Sequence, residues 1–301
     1  MAPAAEGIVA AAPTVRRRRL GEELRRLRED LGPTAEEIAT RIGWSPSKLS
    51  RIENARIGVR VSDVRLLLEL YEVEEGHMGE ILALAQAATQ RGWWDGYRHT
   101  LSERFAAYVA LEDEASEAYL YSTYIVPALL QTREYALGVF ETGRAIVLST
   151  PREVEHALEV RMRRQELLSR QKPLDYSAII DESVLLRLVG DRKIMRRQLE
   201  AMLKMAELPN VELFVQPMNV PREPIIGESF TLLTFTPAYD VRFPDVAYID
   251  SFQLQLDVQD DKITDRYRRA WEALKRSSLS GEESLRLISR VLREVWQEDA
   301  D

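Results

Sequence analysis

Residues 34–54, TAEEIATRIGWSPSKLSRIEN, leave this chain few ways to fold locally. Ile38, Ile42, Leu49 and Ile52 are spaced so that two short helices can close on one small core. Gly43 stands where the first helix must stop, a position that calls for a left-handed residue. Ser45 is suited to cap the second helix, and Pro46 to open its first turn. Ser47, Lys48, Ser50 and Arg51 are left on the outward face. Short hydroxyls and long cations are the side chains that hydrogen-bond to base edges and phosphates in a major groove. Two readings fit at this point: a helix-turn-helix that reads DNA, and an ordinary helical hairpin with a solvated polar face. The apolar spacing alone favours the hairpin.

A chain of 301 residues is far longer than such a motif needs, so it has length for a second core. Its net charge of -8 argues against a general nucleic-acid coat. The distribution says more. Residues 1–60 hold 12 Lys+Arg against 8 Asp+Glu, which leaves 29 against 41 for the remainder. A basic head on an acidic body is the polarity of a protein that touches DNA at one end. Arg16, Arg17, Arg18 and Arg19 form the densest basic run, able to track phosphates or to remain a solvated tail. The residues before them put an apolar stretch ahead of the cations, the reverse of a secretory signal, so residues 1–15 read as a disordered arm. No apolar run is long enough to span a bilayer. The absence of cysteine removes disulfides and thiolate metal sites and fits a cytoplasmic protein.

Beyond the motif, Val61 to Val73 and Glu74 to Gln90 read as two more helices. RGWWDGYR, residues 91–98, breaks the helical pattern at Gly92 and Gly96 and marks a junction. Trp93 and Trp94 there could stack on a ligand, or simply pack the junction. Residues 103–143 read as helical, interrupted at Pro127, with Thr132 capping the restart. Irregular backbone at this break would display Gln131 and Thr132 to a partner, unless the segment is purely structural. Residues 151–170 suggest a charged amphipathic helix. Five short β-branched and aromatic segments follow, at 176–181, 211–217, 229–235, 245–250 and 252–258, with a helix between the first two. Two final helices close the chain, the last opened by a capping box at Ser280 and Glu283. The fold class expected is mainly α with a smaller α/β part. A five-helix head (16–90) and a junction (91–100) precede an α+β body (101–297) with a small mixed sheet.

GEELRRLREDLG before the motif, LSRIENARI through it and VSDVRLLLELYEV after it resemble the Cro/C1-type (XRE) repressor family. The likeness tips the balance toward a DNA reader. It implies a recognition helix beginning at Ser45, and it makes Arg16 to Arg19, Thr34, Ser45, Ser47, Lys48, Ser50, Arg51 and Arg56 the candidate DNA contacts. The glutamine usual at the start of the first motif helix is Ala35 here, so that phosphate contact is expected to be missing. VPALLQT, DESVLLR and the helix-to-PNVE transition resemble the C-terminal domain of unknown function in actinobacterial WhiJ-like regulators, with Ala128 where a glycine is common. Together the two resemblances cover roughly residues 17–292. They imply a transcriptional regulator in the cytoplasm, often with a small protein partner in an antitoxin-like arrangement.

A catalytic body finds little support in the residues. His77, His99 and His156 fall in different elements, and no P-loop, G-x-S-x-G or G-x-G-x-x-G is present. Asp181 and Glu182 are neighbours along a strand end, so they face opposite ways; a helix-capping Asp beside an arginine-paired Glu is the simpler account. The expectation is no enzyme, no metal and no cofactor. The partners expected are a double-stranded operator, a second copy of the chain as a homodimer, and a small protein or small-molecule effector held by Gln131, Thr132, Trp93 or Trp94, with no membrane. The competing reading is a DNA-targeted enzyme with an unrecognised body activity.

Overall fold

A computed structural model of the chain describes residues 15–90, 92–97, 101–147, 150–221, 227–237, 243–250, 255–258 and 260–297. They form two compact units. The head unit takes the chain to Arg98 together with Ser102–Glu114 and Thr236–Phe243, and the body unit takes the rest.

The head contains α1 (Val15–Leu31), α2 (Ala35–Arg41), α3 (Pro46–Glu53), α4 (Val61–Leu70), α5 (Glu75–Ala88), a short 3-10 turn (Trp93–Tyr97) and α6 (Glu103–Glu114). Leu20 and Leu24 of α1 meet Ile38, Leu49, Ile52, Leu67, Leu68 and Ile81 in one core. Helix α6, expected to open the body, packs with the head unit. The arm expected over 1–15 lies outside the described residues as far as residue 14. Val15 is already helical and buried.

The body is built on a six-stranded sheet of β1 (Glu117–Ser122), β2 (Asp175–Asp181), β3 (Val211–Gln216), β4 (Phe230–Thr234), β5 (Val246–Asp250) and β6 (Gln255–Val258), in the order β3-β2-β1-β4-β5-β6. β1, β2 and β3 run parallel, joined by crossovers through α7 (Arg133–Val147) and α8 (Pro151–Arg164), then through α9 (Glu182–Leu186) and α10 (Arg192–Met205). From β1 outward to β6 the pairing is antiparallel. Helix α11 (Asp261–Ser277) lays Trp271 and Leu274 on the face that carries Tyr121, Ile179, Phe214 and Phe230. The outer edge of β3 is covered by the start of α12 (Gly281–Glu294): Leu279 N–H donates to Val215 O at 2.9 Å, and Val215 N–H donates to Ser284 Oγ at 2.9 Å. Covering an edge strand in this way blocks further strand addition.

One element overturns the sequence reading. Residues 103–124 read as a single helix, but the chain leaves α6 at Glu114 and becomes β1, the strand that joins the parallel and antiparallel halves. EAYLYS is compatible with a helix locally, but pairing on both sides with β2 and β4 overrides that preference.

The break at Pro127 is held from inside. Gln131 is fully buried, and its Nε2 donates to Val126 O at 2.7 Å. Its Oε1 accepts from Arg161 at 2.7 Å, and Gln165 donates to its backbone carbonyl. Gln198, also fully buried, donates to Leu130 O and accepts from Thr132 N–H, both at 2.7 Å. The glutamines replace water for backbone groups that the short 3-10 turn at Ala128–Leu130 leaves unsatisfied. Gln131 is therefore not displayed, which corrects its reading as a binding residue. Gln131→Ala is expected to lower stability by about 1–3 kcal/mol, because Val126 O loses its donor and Arg161 an acceptor. The measurement is a thermal melt beside a DNA-binding titration. A lowered melting temperature with unchanged DNA affinity is the expected pair of results.

Candidate nucleic-acid interface

The two motif helices form as their caps dictate. Thr34 and Glu37 make a reciprocal capping box at the start of α2. Gly43 ends that helix at φ +70°, a left-handed conformation that glycine adopts without strain. Ser45 accepts from Lys48 N–H at 3.2 Å, and Pro46 occupies the first turn of α3. Leu49, Ile52 and Glu53 face inward, while Ser45, Ser47, Ser50, Arg51, Asn54 and Arg56 are exposed.

Glu53 is the mounting point of α3. Its carboxylate receives Arg28 of α1 in a two-bond fork, Nε at 2.6 Å and Nη2 at 3.0 Å, and both side chains are buried. Gly21 allows the approach: a Cβ there would lie 2.5 Å from Glu53 O and 2.9 Å from Ile52 O. The exit of α3 thus rests directly on the α1 backbone, fixed by a charge-assisted bidentate pair. Neither Arg28 nor Gly21 stood out in the sequence. The one available signal was a glycine inside a helix otherwise dense in good helix formers, which usually has a packing reason.

The exposed cations of α3 are not equivalent. Arg51 donates through Nε to Ser47 O at 3.2 Å and makes no ion pair among the described residues. Lys48 is half-buried. Its Nζ lies 3.2 Å from Asp63 Oδ2 and 3.4 Å from the centroid of the Trp44 ring, so an ion pair and a cation–π contact hold it.

The arginine run is part of the head and not a free arm. Arg16 lies 3.5 Å from Glu114 of α6 and donates to Gln90 at 3.3 Å. Arg19 is buried, donating to Thr236 O at 2.9 Å beside the Phe243 ring. Arg17 and Arg18 are half-buried between them. Burial pushes the Glu114 carboxyl up to about 7, against the opposing pull of Arg16, and burial lowers the Arg19 guanidinium from its ordinary value. Arg19 is thus spent inside the fold, which corrects its reading as a groove or phosphate contact, whereas Arg16 is paired within the head but keeps 40% of its side chain exposed. The positive balance of the head is confined to its first 60 residues, since residues 61–114 hold 4 Lys+Arg against 11 Asp+Glu.

The remaining candidates are structural. Trp94 is buried and meets Trp93 edge-on at 5.8 Å, and Trp93 Nε1 donates to Asp113 of α6 at 3.1 Å. Neither ring is an open stacking platform. Thr132 Oγ1 accepts from Tyr135 N–H and caps α7. Asp181 caps α9 as expected, accepting from Ser183 N–H at 3.0 Å, whereas Glu182 accepts from Met218 N–H at 2.8 Å and not from an arginine. Among the described residues no group of three or more His, Asp or Glu side chains could hold a metal ion, and no helix is long and apolar enough to cross a membrane.

Comparison with known families also divides the chain in two, but it places most of α6 with the second part. Residues 19–80 match the model of a helix-turn-helix domain, and residues 105–290 match that of a domain of unknown function, DUF5753. No curated protein and no solved structure matches the chain. With more than half of its length in the second match and a helix-turn-helix domain at its head, the chain is a helix-turn-helix regulator that belongs to the DUF5753 family.

Proposed function

We propose that this protein is a sequence-specific transcriptional regulator of the Cro/C1 and WhiJ-like kind, acting in the cytoplasm on double-stranded operator DNA. It acts as a homodimer whose body carries partner or effector binding and no catalysis. The observation that carries this reading is the seating of α3. One face is fixed by core contacts and by the Arg28–Glu53 fork, while the other presents Ser47, Ser50 and Arg51 to solvent. A rigidly mounted polar helix face is what major-groove reading requires. One recognition helix makes few base contacts, so two copies reading two half-sites is the usual solution.

Arg51→Ala tests the reading. If its guanidinium reads a guanine, operator affinity should fall by about 1–3 kcal/mol and specificity should relax at one base, with circular dichroism unchanged. Lys48→Ala should lose less, because Lys48 must leave Asp63 and Trp44 before it can reach a phosphate. The operator is first selected from a random duplex library. Arg51→Ala affinity within twofold of the parent would reject α3 as the reading helix.

A further inference from the structure

Eight large apolar side chains are exposed among the described residues, and five of them gather at one end of the body sheet: Tyr124, Leu186, Leu188, Met218 and Val220. Topology puts them there. β1, β2 and β3 are parallel and in step, with Ser122 opposite Ile180 and Asp181 opposite Gln216, so the three following segments leave the sheet side by side. Tyr124 follows β1, Leu186 and Leu188 follow the short helix after β2, and Met218 and Val220 follow β3. The Arg187 guanidinium stacks 4.3 Å from the centre of the Tyr124 ring. Met218 N–H is bonded to Glu182, one helical turn before Leu186, which ties the third segment to the second. Tyr124, Leu188 and Met218 are 63%, 56% and 54% exposed, too much for side chains that merely finish a core.

The charges of this patch differ from those of the body around it. Residues 115–301 hold 25 Lys+Arg against 30 Asp+Glu. At the patch the central charge is Arg187, which makes no ion pair with any described residue. The nearby carboxylates of Glu182 and Asp191 are engaged by backbone amides, at 2.8 Å from Met218 N and 2.8 Å from Ile194 N. Tyrosine, methionine and arginine without a surplus of carboxylates is the composition of an interface centre and not of a solvated surface.

We propose that this patch is the face on which a second copy of the chain docks. The proposal rests on the operator-reading function above, which needs two recognition helices. The choice of occupant follows from charge and symmetry. Two like-charged acidic bodies can come together most easily where the local charge is not acidic. A two-fold contact also sets the patch against its own rotated image, so the exposed Tyr124, Leu188 and Met218 of both copies are covered at once.

The test uses the full chain with the paired substitution Arg187→Glu and Leu188→Asp, and Leu31→Asp as an exposed apolar control on the head. Sedimentation at micromolar concentration should show a dimer for the parent and for Leu31→Asp. The paired variant should self-associate about 30-fold more weakly, the scale of losing an interface hot spot, with an unchanged melting temperature. A second variant, Tyr124→Ala with Met218→Ser, should weaken the dimer without reversing any charge. A parent that stays monomeric, or a dimer untouched by both variants, overturns the proposal. Fluorescence anisotropy on a random-sequence duplex separates this from the DNA reading. The paired variant should still bind with a salt-dependent affinity through its intact head. A parent that dimerises but binds no duplex would refute the operator reading and leave the docking face standing.

Discussion

Glu53→Ala should destabilise the head by about 3–5 kcal/mol, the usual consequence of stranding one member of a buried ion pair. The magnitude follows from what is left behind. Arg28 is buried at the α1–α3 contact, and Glu53 supplies both acceptors of its fork. Its remaining bonds, to Pro33 O and to the exposed Glu29, do not replace a two-bond carboxylate. In the parent the Glu53 hydrogen bonds hold the guanidinium above its ordinary pKa; in the variant that support is gone, yet a guanidinium keeps its proton inside proteins, so losing it is no escape. Operator affinity should fall although Glu53 itself is turned away from the reading face, because α3 loses its mounting. Hydrogen exchange of the α3 amides, with the double variant Arg28→Met/Glu53→Leu beside the single one, gives the measurement. The double variant should regain most of the protection, since two apolar side chains remove the uncompensated charge. Unchanged exchange in Glu53→Ala would show that the fork contributes nothing to seating the helix.

Gly21→Ala should also destabilise the head, against the helix-forming preference of the new residue. In an isolated helix that exchange is worth about 1 kcal/mol in favour of alanine. Here the added methyl would lie 2.5 Å and 2.9 Å from the carbonyl oxygens of Glu53 and Ile52. Backbone atoms cannot swing aside as a side-chain tip can, so α1 must back away from α3 and carry Arg28 with it. Overpacking of this kind costs about 1–3 kcal/mol or more, enough to reverse the sign. Urea unfolding of Gly21→Ala, Glu53→Ala and their combination gives the comparison. The double loss should be smaller than the sum, because both changes open one contact. Stabilisation by Gly21→Ala would mean that the two helices do not approach this closely.

What could be read in the sequence was what is encoded within one turn of a helix. Gly43 and the Ser45 cap set ends of the motif helices, and both act as their local chemistry required, whereas Thr34, read as a DNA contact, proved to cap α2. Ser280 and Glu283 did the same for α12. The exposed side of α3 followed directly, because a 3.6-residue period that buries Leu49 and Ile52 must turn Ser47, Ser50 and Arg51 outward. Those residues alone left a DNA reader and a solvated hairpin both open, and it was the resemblance to the Cro/C1-type family that tipped the balance.

Tertiary structure alone decided the rest. Arg28 and Glu53 are separated by 25 residues, and no periodicity relates them. Arg16 and Arg51 are both arginines in helices, yet one is used against Glu114 and the other is open to solvent. Gln131 looks polar and available in sequence but is fully buried, because the backbone it completes has no other donor. β1 is a strand only because β2 and β4 flank it. A local sequence determines which hydrogen bonds a segment can make with itself; which distant group takes each remaining bond depends on the fold that brings them together.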